Sequence, residues 1–170
     1  MPTLFLIDGS SQMYRAYHAL SGLTSPDGRA TNAVFGFVAM LRKLLADHRP
    51  THIVCAFDLA GPTFRSDLAE TYKANRPPMP QDLVDQVPWV HQACEALGVK
   101  VLTSEGFEAD DVIGTLAVRG AAVGCDVAIV TGDNLTITHA AGSIHLGRMP
   151  PFCTAGERRR SAASVPSSRT

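Results

Sequence analysis

With 170 residues, 45% of them hydrophobic, the chain has the length and composition of one soluble globular domain. Its net charge of −1 hides a split: residues 1–133 carry ten Lys/Arg against fifteen Asp/Glu, and residues 134–170 carry five against one. An acidic body argues against a nucleic-acid binder, unless its acids surround divalent cations that return positive charge to one spot.

The amino terminus, MPTLFLIDGSSQ, has no basic leader, and its apolar run stops at Asp8. A first strand over 3–8 is expected, not a signal peptide. DGSS, residues 8–11, is a strand-to-helix turn or a phosphate contact through Ser10. It lacks the second Asp of a phosphatase motif and the spacing of a P-loop. Residues 32–48 space their apolar side chains as a helix does. THIVCAFD, residues 51–58, is a second strand that again ends in an acid, Asp58. Segment 59–80 is long for a connection, and such loops are functional or disordered. If it is helical, Arg65, Tyr72 and Arg76 share one face with Lys73 beside them. That basic strip with one aromatic suits phosphates and an unstacked base. A solvated helix with Asp67 and Glu70 as partners is the open alternative.

Residues 81–98 form a helix stopped by Gly98, which Pro88 must kink or divide. A third strand follows at 99–104, an acidic helix begins near Glu108, and 125–133 is a fourth strand ending in Asp133. Strands alternating with helices imply a mostly parallel, Rossmann-like sheet with helices on both faces, an α/β fold. Arg119 and Asp126 interrupt the most apolar stretch, so no membrane span is expected. Beyond Asp133 only Leu135–Ile137 alternates, and the composition of the last stretch predicts a disordered tail. Cys55, Cys94, Cys125 and Cys153 form no Cys-x-x-Cys pair, so buried free thiols in a reducing compartment are expected, and a cytoplasmic location with them. The six histidines show no ligand spacing.

EGFEADDVIG, residues 105–114, crowds Glu105, Glu108, Asp110 and Asp111 together, although each same-face pair of like charges on a helix costs roughly 0.2–0.5 kcal/mol. Acids belong in a first turn, where they cap free N–H groups and complement the helix dipole. That explanation leaves out Asp8, Asp58 and Asp133, which end three strands and face the crevice where open α/β sheets bind ligands. Such a set suits a hard cation with oxygen ligands, magnesium or manganese.

The segments LIDGSSQMYRAYHAL, AFD, TFRSDLAETYKANRPPMP, GFEADDVIGTLA and VTGD together resemble the start of the 5′-nuclease domain found in bacterial DNA polymerase I. That domain belongs to the flap endonuclease family, whose fold is PIN-like. The resemblance covers residues 1–133 and implies metal-dependent hydrolysis of DNA with 5′ flaps, nicks or RNA primers by a monomer working at the nucleoid. It implies that Asp8, Asp58, Glu108, Asp110, Asp111 and Asp133 are metal ligands. It places Lys73 and Arg76 at the reacting phosphate, with Arg65 and Tyr72 in the same helical arch (59–80) guiding DNA.

The pattern then breaks. After Asp133, Asn134 stands where the family has a basic residue and Leu135 where it has a second Asp. The second metal site is therefore expected to be incomplete, activity to be impaired, and 134–170 to be a divergent tail. Its Arg/Ser/Ala/Pro composition reads as out-of-frame translation, a hypothesis that sequencing the locus tests. Two other readings stay open: a non-catalytic DNA-binding remnant, favoured by Leu135, and a PIN-type ribonuclease, opposed by the long arch.

Overall fold

The computed structural model describes residues 1–59, 61, 77–131 and 144–147. Its strands are β1 (Thr3–Asp8), β2 (His52–Ala56), β3 (Lys100–Leu102), β4 (Asp126–Val130) and β5 (Ile144–Gly147). They form one sheet in the order β3-β2-β1-β4-β5, every neighbouring pair parallel. Among the described residues the helices are α1 (Gly9–Ala19), α2 (Asn32–His48), α3 (Gln81–Val84), α4 (Val87–Ala96) and α5 (Ala109–Ala122). The α/β class, the parallel sheet and helices on both faces are as the sequence predicts.

β1 is the central strand, and its last residues are buried from both sides, as expected where helices cover both faces. Because successive side chains point to opposite faces, Ile7 and Leu6 enter different cores. Ile7 joins Met13, Phe37, Leu41, Cys55 and Val90 beneath α1, α2 and α4. Leu6 joins Ala56, Ile113, Ala117 and Ile129 beneath α5. From β1 the sheet grows through β2 to β3 on one side, and β4 then pairs on the other. The crevice past the carboxyl ends of β1 and β4 is therefore the topological switch point.

Helix α2 has the bounds its periodicity predicts. Its first free amides are satisfied from outside: the fully buried Gln86 accepts from Ala33 N–H (2.9 Å) and Val34 N–H (3.2 Å) through Oε1 and donates to Asn32 Oδ1 (3.0 Å). Pro88 divides the expected 81–98 helix. It sits in the first turn of α4, where a missing N–H costs nothing. Gly98 follows with φ +73°, a conformation that favours glycine, and ends the element.

The structure also adds elements. Helix α1 starts at the strand-to-helix turn read at 8–11, but its extent escaped the periodicity reading because its buried residues are Gly9, Gln12, Met13 and Ala16, which include only one large apolar side chain. Strand β5 lies where no strand was expected, and pairs Val127–Val130 with Ile144–Gly147. Strands β2, β3 and β4 stop earlier than the apolar runs suggest, so Asp58 stands two residues past the end of β2. Cys55 and Cys94 are buried free thiols and Cys125 is a half-buried one; Cys153 lies outside the described residues. Among the described residues no helix is long and apolar enough to cross a membrane.

Candidate metal centre

Asp8 ends β1 and begins α1. Its Oδ1 accepts the Ser11 N–H at 2.9 Å, capping the helix, and its Oδ2 accepts the Thr131 hydroxyl at 3.2 Å. Thr131 directly follows β4, so this second bond spans the switch point. Asp8 is only 6% exposed, and burial pushes its carboxyl up to about 6, with Asp110 and Asp58 adding like-charge repulsion against the hydrogen bonds from Ser11 and Thr131. Asp58 and Asp110 are thus near enough to Asp8 to act on it electrostatically.

Asp58 is held at two points. Its backbone N–H donates to Ser10 Oγ at 2.9 Å, and its Oδ1 accepts the Ala109 N–H, the first amide of α5, at 2.8 Å. The residue before it, Phe57, is clamped. A Cβ on Gly9 would lie 2.5 Å from the Phe57 ring, whose other neighbours are His91 (centroids 4.4 Å apart) and Phe37 (6.0 Å). Glycine at position 9 therefore lets the β1–α1 turn and the end of β2 come together.

At the start of α5, Asp111 Oδ2 accepts the Glu108 N–H at 3.0 Å. Glu108 is buried, Asp111 half-buried and Asp110 exposed. The capping role weighed for these acids is therefore real for Asp111, and Asp58 caps the same helix from a neighbouring strand. Capping and convergence are compatible, because the caps are what bring the acids to the crevice.

The donor set is carboxylate oxygen, which suits a hard divalent cation, and a cation would offset both the burial that mainly raises Asp8 and the like charges that add to it. Among the described residues, however, no three acid, histidine or cysteine side chains are gathered tightly enough to hold one ion. Asp133, the remaining expected ligand, lies outside the described residues, as do Arg65, Tyr72, Lys73 and Arg76. Of the expected arch, Leu59, Gly61 and 77–80 are described, and Met79 packs against the larger core where the segment returns to α3. Sequence reasoning missed Thr131, although VTGD placed it two residues from Asp133. It weighed Ser10 against a phosphate, whereas the structure sets Ser10 against the Asp58 amide.

Comparisons with known proteins bear on the family and the fold. A family model described as the 5′-3′ exonuclease N-terminal, resolvase-like domain matches residues 3–145, twelve residues past the break at Asp133. The DNA polymerase I of Pseudomonas aeruginosa is 51% identical over 130 residues, which are 76% of this chain and 14% of that protein. The chain thus spans about a seventh of that relative. A 5′-exonuclease of T5 with bound zinc superposes with a TM-score of 0.63 at 18% identity, over 77% of this chain and 49% of the other. A bacteriophage T5 flap endonuclease in complex with DNA and metal ions gives a TM-score of 0.58 at 18% identity, over 78% and 49%. At such identities these two show the shared fold.

Proposed function

Because this chain belongs to the 5′-3′ exonuclease family, whose N-terminal resolvase-like domain it carries, we propose that it forms the carboxylate crevice of a metal-dependent nuclease acting on DNA. The observation that supports this most is the convergence at the switch point. Asp8 bridges β1 to Thr131, Asp58 caps α5, and Asp110 and Asp58 both act on Asp8.

In this reading Asp8, Asp58, Glu108, Asp110, Asp111 and Asp133 hold magnesium or manganese. The ions, when bound, supply activation of water and charge stabilisation for in-line displacement at phosphorus. The chain's own part is to fix the carboxylates with the amides of Ser11 and Ala109 and the hydroxyl of Thr131. Lys73 and Arg76 neutralise the reacting phosphate, and Arg65 and Tyr72 guide the strand. Substrates are DNA with 5′ flaps, nicks or RNA primers, met by a monomer at the cytoplasmic nucleoid.

The test is cleavage of a labelled 5′-flap DNA with Mg²⁺ or Mn²⁺. Cutting that requires metal and falls by more than about 100-fold in Asp111→Ala supports the reading. A second reading, a non-catalytic DNA binder, is favoured by Leu135. Tight flap binding by the folded chain without cutting selects it.

A further inference from the structure

Ser10 stands outside the carboxylate set, and its hydroxyl does something specific. It accepts the Asp58 backbone N–H at 2.9 Å, joining the first turn of α1 to a residue that β2 no longer holds, since that strand ends at Ala56. The Phe57 N–H is taken up by Leu102 O at 2.9 Å, so Phe57 is the last residue here tied to the sheet through its backbone. Past it, Asp58 depends on Ser10 for its amide and on Ala109 for its carboxylate. Asp58 is exposed, so packing does little to hold it.

We propose that Ser10 is a positioning residue for the metal centre: its hydroxyl locks Asp58 beside Asp8 so that one Asp58 oxygen can cap α5 while the other serves the cation. This rests on the metal reading above. The geometry supports it in three ways. Asp8 and Ser10 are separated by one residue, so the group that fixes Asp58 is borne by the turn that Asp8 caps. Asp58 Oδ1 is committed to Ala109 N–H, so its orientation is set once its backbone is set. Without Ser10 the Asp58 amide loses its protein acceptor, and Asp58 is left held through its carboxylate on Ala109 alone. Groups that hold ligands in place change metal affinity about 10- to 100-fold when removed.

The experiment is Mn²⁺ titration of the full chain, read from the free-ion electron paramagnetic resonance signal, for wild type, Ser10→Ala, Ser10→Thr, Asp58→Asn and Ser10→Ala/Asp58→Asn. The expected result is an affinity about tenfold lower for Ser10→Ala and nearly restored for Ser10→Thr, which keeps the hydroxyl. In the Asp58→Asn background, Ser10→Ala should cause little further loss, because the two residues act through one ligand. Wild-type affinity in Ser10→Ala overturns the proposal, and so does an equal loss in both backgrounds, which marks a general structural effect. A wild-type chain that binds no Mn²⁺ sinks the metal reading and this proposal together, whereas strong wild-type binding untouched by Ser10→Ala sinks this proposal alone.

Discussion

At the β1–α1 junction one acid, Asp8, caps its helix from a buried position; at the β3–α5 junction Glu108, Asp110 and Asp111 crowd a single first turn, with Asp110 in solvent. Burial above all, with its acidic neighbours, pushes the lone acid up to about 6. A single acid can therefore carry a large electrostatic cost. What matters is whether water reaches the carboxylate and which charges share its surroundings. At the second junction only Glu108 is buried, Asp111 accepts the Glu108 N–H, and Asp58 from the end of β2 accepts the Ala109 N–H. The first holds a carboxylate dry, which is costly until a cation arrives.

The sharpest way to break that contrast is Asp8→Asn. A raised carboxyl means the folded chain holds the proton more tightly than the unfolded one. Asp8 thus contributes stability below about pH 4 that is lost as pH rises through about 6. Asparagine still accepts from Ser11 N–H but cannot ionise. In EDTA at pH 8 the variant should be more stable by about 2–3 kcal/mol, and at pH 4 nearly equal to wild type, by urea denaturation. Excess Mn²⁺ should stabilise wild type and leave the variant behind.

A second, smaller contrast lies in the glycines of the two junctions. Gly9→Ala drives a Cβ into a Phe57 ring already backed by His91 and Phe37, and should cost about 1–3 kcal/mol. Gly106 meets nothing within 4 Å but has φ +76°. Gly106→Ala should cost about 1 kcal/mol through backbone strain, and Gly106→Asn less. No cost in Gly9→Ala would sink the packing argument, and no rescue by Gly106→Asn would sink the strain argument.

Smallest is Gln12→Leu. Gln12 is fully buried one turn beyond Asp8, and among the described residues neither its Oε1 nor its Nε2 has a hydrogen-bond partner. Replacing it with an apolar side chain of similar size removes two unsatisfied groups and should stabilise the chain by about 1 kcal/mol. A loss of stability would mean that this amide is satisfied in solution.

Much of this was legible in the residues. Acids ending apolar runs marked Asp8 and Asp58, and Pro88 with Gly98 set the limits of a helix, because strand ends and helix breakers are local properties. Helix α1 was legible only as the turn that starts it, since glycine, glutamine and alanine carry little hydrophobic signal and Gly9 is buried because of a ring 48 residues away. The Ser10–Asp58 and Asp8–Thr131 bonds join residues 48 and 123 positions apart, so only the sheet order brings them together. β5 was hidden for a similar reason: a four-residue strand earns its place by pairing with β4, not by its own pattern.

The measurement that tests the account most directly is a substoichiometric Mn²⁺ titration of the ¹⁵N-labelled chain followed by amide resonance broadening. The account predicts that Gly9, Ser10, Asp58, Ala109 and Asp110 broaden first and together, and that Asp111→Ala weakens the effect. Broadening that spares them, and falls instead on surface acids such as Asp27 and Asp47, would contradict a metal centre at the switch point.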